Sequence, residues 1–114
     1  MKIDKPEHYD DIDNIYQLIW ELLEFGKKNS NSDIHQGYLA THSGSFPSVR
    51  TVVLRGVNYN EKIISFHTDF RSEKIKEISE NNKISILFYD HNKKIQIKCS
   101  GIGIINNQND NADQ

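Results

Sequence analysis

A chain of 114 residues has room for one domain core and leaves a large share of its apolar surface for a partner to cover. Its formal charge of −2 sets up no basic field that would draw it to nucleic acid or to a membrane surface. The single cysteine, Cys99, excludes an internal disulfide and cannot by itself build a metal site; it reads as a small hydrophobe packed in a strand. No apolar run approaches the roughly 20 residues of a membrane span. Met1-Lys2-Ile3-Asp4-Lys5 has no signal-peptide core, so the expectation is a soluble, cytoplasmic protein.

The first predicted element is an amphipathic helix from about Asp11 to Lys28. Ile12, Ile15, Tyr16, Ile19, Leu22 and Leu23 recur at helical spacing, and Leu18, Trp20 and Phe25 widen the stripe. Asp10, Asp11 and Asp13 suit the positive end of the helix dipole, and Lys27 and Lys28 the negative end. The whole stripe, Trp20 included, reads as core. After the polar stretch Asn29 to Asp33 the signals turn to β structure. Gln36 to His42 is a strand, Ser43-Gly44-Ser45-Phe46-Pro47 a turn, and Ser48 to Val57 a second strand. Asn58 to Glu61 turns the chain into a third strand, Lys62 to His67, which completes an antiparallel meander.

A short helix follows from about Arg71 to Glu80, with Ser72 as N-cap and Ile75 and Ile78 toward the core. Lys83 to Tyr89 is near-continuously apolar, as expected of a strand buried on both faces. Asp90 to Lys93 leads into a last strand, Lys94 to Ile105. There the alternation of Ile95, Ile97 and Cys99 changes phase after Gly101, which predicts a bulge or bend. The tail, Asn106 to Gln114, is polar and expected to be loose. The sum is one domain over residues 1–114, mainly β with helices (α+β). It is a small antiparallel barrel over about 36–105 with a leading helix and one helix between strands three and four.

Two segments carry chemistry. In Arg50-Thr51-Val52-Val53-Leu54-Arg55, two cations stand inside an apolar β run, where burial is costly unless an anion meets them. Their odd separation puts them on opposite faces of a regular strand. An edge strand with solvated arginines is the plain alternative. Thr68-Asp69-Phe70-Arg71-Ser72-Glu73-Lys74 runs from a strand end into a helix start, where free N–H groups, two hydroxyls and two cations form an anion cradle. An ordinary capped helix is the alternative there. Other constellations fail. His8, His35, His42, His67 and His91 lack metal-ligand spacing, there is no nucleophile elbow, and Lys93, Lys94 and Lys98 read as a solvated hairpin.

In this order and spacing the segments resemble the pyridoxamine 5'-phosphate oxidase-like, FMN-binding split-barrel family, from about Gly37 to Gly103. The resemblance rests on Pro47 to Gly56, Phe66-His67-Thr68-Asp69, Arg71-Ser72-Glu73-Lys74, Asn81-Asn82, Ile84 to Tyr89, Gln96 and Gly101. It implies a split β-barrel with FMN at a homodimer interface. It further implies that Arg50 and Lys74 bind the FMN phosphate with help from Thr68 and from Ser72 or Arg71. Thr51, Val52, Val53 and Leu54 belong to the implied cofactor site, the backbone of Val52 to Leu54 lying along the isoalloxazine ring. Arg55 would approach the ring's pyrimidine end and Gln96 its edge, while His67 replaces the family's more usual tyrosine. Glu73 stands where a basic residue is common. Family members continue into a further helix and strand, whereas this sequence ends at Asn111-Ala112-Asp113-Gln114.

The implied activity is that of an FMN-dependent oxidoreductase: hydride passes from C4' of pyridoxamine or pyridoxine phosphate to flavin N5, with oxygen as acceptor. The resemblance requires no protein residue as catalytic acid or base, and no metal. Three other readings stand beside it: a non-catalytic FMN-binding or flavin-storage protein, a flavin reductase-like protein with another substrate, and a split-barrel relic that binds nothing.

Overall fold

A computed structural model describes residues 12–42, 44, 46–67 and 73–105, the side chains of residues 73–75 excepted. Asp10, Asp11, the N-cap at Ser72, the Ile75 side chain and the tail from Asn106 therefore lie outside the described residues. The leading helix, α1, spans Ile12–Lys28, with Asp13 in its first turn and Lys27 and Lys28 in its last. Leu23 and Gly26 are its buried positions, and Ile19, Trp20 and Leu22 pack half-buried against the core. Ile12, Ile15, Tyr16, Leu18 and Phe25 are exposed, which corrects the reading of the whole stripe as core. At 100° per residue, Leu18 and Phe25 fall far around the helix from Leu23, so the sheet cannot cover all of them.

Gly26 lets α1 descend onto Ile34. A Cβ there would lie 2.7 Å from the Ile34 Cβ and 2.9 Å from its backbone carbon, a contact that backbone cannot relieve cheaply. Gly26→Ala is thus expected to destabilise by about 1–3 kcal/mol through overpacking, although Ala gains about 1 kcal/mol in helix propensity. Urea unfolding checks this, and a stabilised variant would show that the contact relaxes.

Ile34 belongs to a 3-10 turn, Asp33–His35, whose cap Ser32 accepts a hydrogen bond from the Ile34 N–H at 3.1 Å. His35 Nδ1 donates to the Gly26 carbonyl at 2.8 Å. The Asp33 carboxylate accepts the His91 backbone N–H at 2.8 Å, with His91 Nδ1 at 3.2 Å. Those two contacts hold the Asp33 carboxyl below its ordinary value. The turn ties helix to sheet.

Five antiparallel strands follow: β1 (Gln36–His42), β2 (Pro47–Asn58), β3 (Ile63–Phe66), β4 (Lys83–Asp90) and β5 (Ile95–Ile102). The second helix, α2 (Glu73–Glu80), lies between β3 and β4 in the chain. The sheet order is β3-β2-β1-β4-β5, so the predicted meander of the first three strands is present and β4 returns to pair with β1. Residues on one face alternate by two. The inner face carries Leu39, Val52, Leu54, Ile86, Phe88 and Ile97, which close over Leu23 and Ile34. Gly37 makes room for the Phe88 ring, since a Cβ there would meet Phe88 Cε1 at 2.7 Å.

Three expectations need correction. First, β5 pairs regularly through Ile84↔Gly101 and Lys83↔Ile102, so Gly101 is neither bulge nor bend. The phase change has a simpler cause: Ile102 points to the outer face and is exposed, and Ile104 beyond the strand is exposed too. Second, β5 ends at Ile102 rather than Ile105. Third, β4 is fully buried on one face only; Ser85, Leu87 and Tyr89 on the other are half-buried.

The β2–β3 and β4–β5 turns are built alike. Asn58 Oδ1 accepts the Glu61 N–H at 3.0 Å, and Asp90 Oδ1 accepts those of Asn92 and Lys93 at 3.0 and 2.9 Å. Each turn then closes on a left-handed lysine, Lys62 (φ 59°) or Lys94 (φ 58°). Gly44, in the predicted β1–β2 turn, has φ 84°, the conformation for which glycine was expected. Lys62 also reaches back to α1. Its ammonium lies 3.8 Å from the Tyr59 ring centroid and within 6 Å of the rings of Tyr16 and Trp20.

Candidate functional site

Strand β2 lies between β3 and β1, but β3 reaches it only from Leu54 onward, so the Arg50 stretch pairs with β1 alone among the described residues; Arg50 is nonetheless half-buried rather than solvated. Its parity places Ser48, Arg50, Val52 and Leu54 on the inner face, and Pro47, Val49, Thr51 and Val53 on the outer face. The β2–β3 register shifts between Leu54 and Gly56, which leaves Arg55 as the extra residue of a β-bulge that sequence patterning missed. Arg50 and Arg55 are thereby separated as expected. Arg50 sits half-buried opposite Leu39, and Arg55 is exposed.

Arg50 has one singular property. Its Nε is buried without a hydrogen-bond partner, the one such side-chain atom among the described residues. A guanidinium N–H in that state costs free energy until an acceptor reaches it. The neighbouring anion is Glu77 on α2. Thr41 Oγ1 donates to Glu77 Oε1 at 2.5 Å and Ser48 Oγ to Glu77 Oε2 at 2.8 Å. Thr41 and Ser48 are directly opposed in the β1–β2 register, so their hydroxyls present themselves side by side. Those two bonds, Thr41's first, hold the Glu77 carboxyl below its ordinary value against desolvation, and the Arg50 and His42 charges add to the effect.

Lys74 is the second residue of α2, one turn before Glu77, whose carboxylate feels the Arg50 charge. The Lys74 side chain, and Thr68, Arg71 and Ser72, lie outside the described residues. His67 is exposed just past β3. A cleft of about 520 Å³ at this end of the sheet is lined by Thr41, His42, Lys83, Ser85, Ser100 and their neighbours. A smaller one of about 250 Å³, between Trp20 and Tyr59, is away from every predicted site residue.

Gln96 is exposed on the outer face of β5, paired with Tyr89. Val53 is paired with Gln36 on the same outer face, and continuing the β1–β4 register from Tyr38↔Leu87 sets Gln36 level with Tyr89. Three strand spacings thus separate Val53 from Gln96, roughly 14 Å. Within one chain Arg50 lies near Glu77 of α2, and Gln96 is three strands away from β2. Sequence reasoning missed Glu77, Thr41 and Ser48. The available signal was a glutamate one turn after Lys74, on a helix whose Ile78 must face the sheet.

Cys99 is half-buried against the core, and burial pushes its thiol up from the ordinary value. Among the described residues no cluster of three or more His, Cys, Asp or Glu side chains fits a metal ion, and no helix is long and apolar enough to cross a membrane.

A five-stranded antiparallel curled sheet with one helix leading and one between its third and fourth strands defines a half-barrel of the split-barrel class. The sequence model described as "Pyridoxamine 5'-phosphate oxidase, FMN-binding domain" matches residues 17–106, and the chain belongs to that family, whose cofactor is FMN. Pyridoxine/pyridoxamine 5'-phosphate oxidase 2 of Arabidopsis thaliana is 36% identical over 86 residues, covering 72% of this chain and 43% of the relative. The pyridoxine/pyridoxamine 5'-phosphate oxidase of Sinorhizobium fredii is 29% identical over 94 residues, covering 82% of this chain and 45% of the relative. Among solved structures, a pyridoxamine 5'-phosphate oxidase-related, FMN binding protein from Nostoc punctiforme superposes with a TM-score of 0.64 at 28% identity. That match covers 75% of this chain and 44% of the other. The chain spans less than half the length of these relatives.

Proposed function

We propose that this chain binds FMN between two copies of itself and serves an oxidoreductase of the pyridoxamine-phosphate-oxidizing type. The observation that carries the reading is the buried, partnerless Nε of Arg50 near Glu77 of α2. A phosphate oxygen is the acceptor that such a donor lacks. Arg50 and Lys74 hold the phosphate, with Thr68 and Ser72 or Arg71 completing the cradle. The β2 segment from Thr51 to Leu54 supplies backbone toward the flavin ring, with Arg55 at the pyrimidine end and His67 at the cradle's edge. Gln96 is three strands from Val53, so the ring-edge contact comes from Gln96 of the partner subunit.

Bound FMN would supply two-electron redox chemistry, and the chain's own part is position and charge. Neither acid nor base is assigned to a side chain. Cytoplasmic placement follows the same reading.

Titration of the purified protein with FMN tests the first half. Flavin fluorescence quenching at one FMN per chain, with a dimer in sedimentation, is the expected result; a protein that takes up no FMN overturns it. Anaerobic addition of pyridoxamine phosphate tests the second half. Bleaching of the flavin band supports the oxidase reading, and an unreduced flavin points to a carrier or to another electron donor.

A further inference from the structure

We infer that Glu77 is a positioning residue for phosphate recognition, fixing the helix that carries Lys74 against the strand that carries Arg50 through the hydroxyls of Thr41 and Ser48. The inference rests on the FMN reading above and goes beyond it, because Glu77 itself is a poor phosphate ligand: it is an anion. Its geometry is that of a clamp. One carboxylate oxygen is held from β1 by Thr41 and the other from β2 by Ser48, and both donors lie on the inner face beside Arg50. Ser48 is two residues from Arg50 on one face of β2, and Glu77 is one helical turn from Lys74 on α2. The same helix also buries Ile78, an apolar contact. Such a contact resists separation and leaves the helix free to slide, whereas two directional bonds to one carboxylate fix rotation and register together.

The clamp also restrains charge. Each Glu77 oxygen accepts one hydroxyl, which holds the carboxylate in place near Arg50 while Arg50 Nε stays without a partner. Deprived of those hydroxyls, Glu77 would turn to Arg50 and compete with phosphate. Both consequences of losing the clamp weaken phosphate binding and spare the flavin ring. Supporting contacts of this kind are typically worth about tenfold in ligand affinity.

The test compares FMN with riboflavin, which lacks the phosphate, on the protein carrying Thr41→Val and Ser48→Ala together. These changes remove both donors and leave Glu77 in place. The expected result is FMN affinity lowered about tenfold with riboflavin affinity unchanged within about twofold, and Ser48→Ala alone giving a smaller loss of the same kind. Equal losses for both ligands, or none for either, would overturn the role of Glu77 while leaving FMN binding intact. Wild-type protein that binds FMN no better than riboflavin would overturn the phosphate assignment itself, and the clamp with it. Ser48→Ala, a surface-near loss of one hydroxyl, keeps the test open should the double variant fold poorly.

Discussion

Replacing both Arg50 and Lys74 by alanine is expected to weaken FMN binding by roughly 3 to 4 kcal/mol, a few hundredfold, while the protein stays folded. Each cation supplies a charge-assisted contact of about 2 kcal/mol to a phosphate, and two contacts on one group fall short of simple addition. The fold should tolerate the loss for a reason visible in the free chain. Arg50 Nε is desolvated with no acceptor, so removing it relieves a cost rather than breaking a bond. Calorimetric titration gives the affinity, and a melting curve unchanged within a few degrees separates a binding defect from unfolding. Riboflavin affinity should hardly move; if it fell with that of FMN, the two residues would be supporting the ring rather than gripping the phosphate.

The largest stability effect is expected at Phe88. Its side chain is wholly buried at the centre of the inner face, seated over Gly37 and among Leu39, Val52 and Ile86. Phe88→Ala should cost about 3–5 kcal/mol from lost transfer energy and an unfilled cavity. A domain of this kind has about 5–15 kcal/mol to lose. The variant is therefore expected to be unfolded or nearly so at 37 °C, with a urea midpoint sharply lowered. A nearly unchanged midpoint would mean that neighbouring side chains collapse into the space, which the close seating over Gly37 argues against. Cys99, by contrast, sits on the same face at the margin of the core and is only half-buried.

Much of this was legible from residue order. β1 begins and ends where alternation from Gln36 to His42 placed it, α1 ends at Lys28 as its charges indicated, and turn residues located all three hairpins. Local signals of this kind depend only on period and on turn chemistry, which neighbours in sequence determine. What sequence missed depends on contacts between distant segments. The bulge at Arg55 arises from how β3 aligns with β2, and no local pattern marks it. Gly101 looked like a bulge because apolar residues continue past it, yet Ile102 is outward and exposed on a strand that stays in register. The clamp at Glu77 joins residues 29 and 36 positions apart, so its partners emerge only when α2 lies on the sheet. Parity set Arg50 and Arg55 apart for a regular strand; in the fold Arg50 is half-buried and Arg55, on the bulge, is exposed. Which of them is left wanting an acceptor required the fold.

The sheet order has one more consequence, for behaviour in solution. Among the described residues β3 and β5 have a neighbour on one side only, so the half-barrel has two unsealed seams. Such seams invite strand-to-strand growth between molecules. The first comprises the four residues of β3, Ile63–Phe66, and the 47–53 stretch of β2 that β3 does not reach. Along the second, exposed lysines stand at positions 93, 94 and 98. The charges that read as an idle patch on a hairpin thus stand along a sheet edge that no further strand covers among the described residues, and charge on such an edge opposes strand-to-strand stacking.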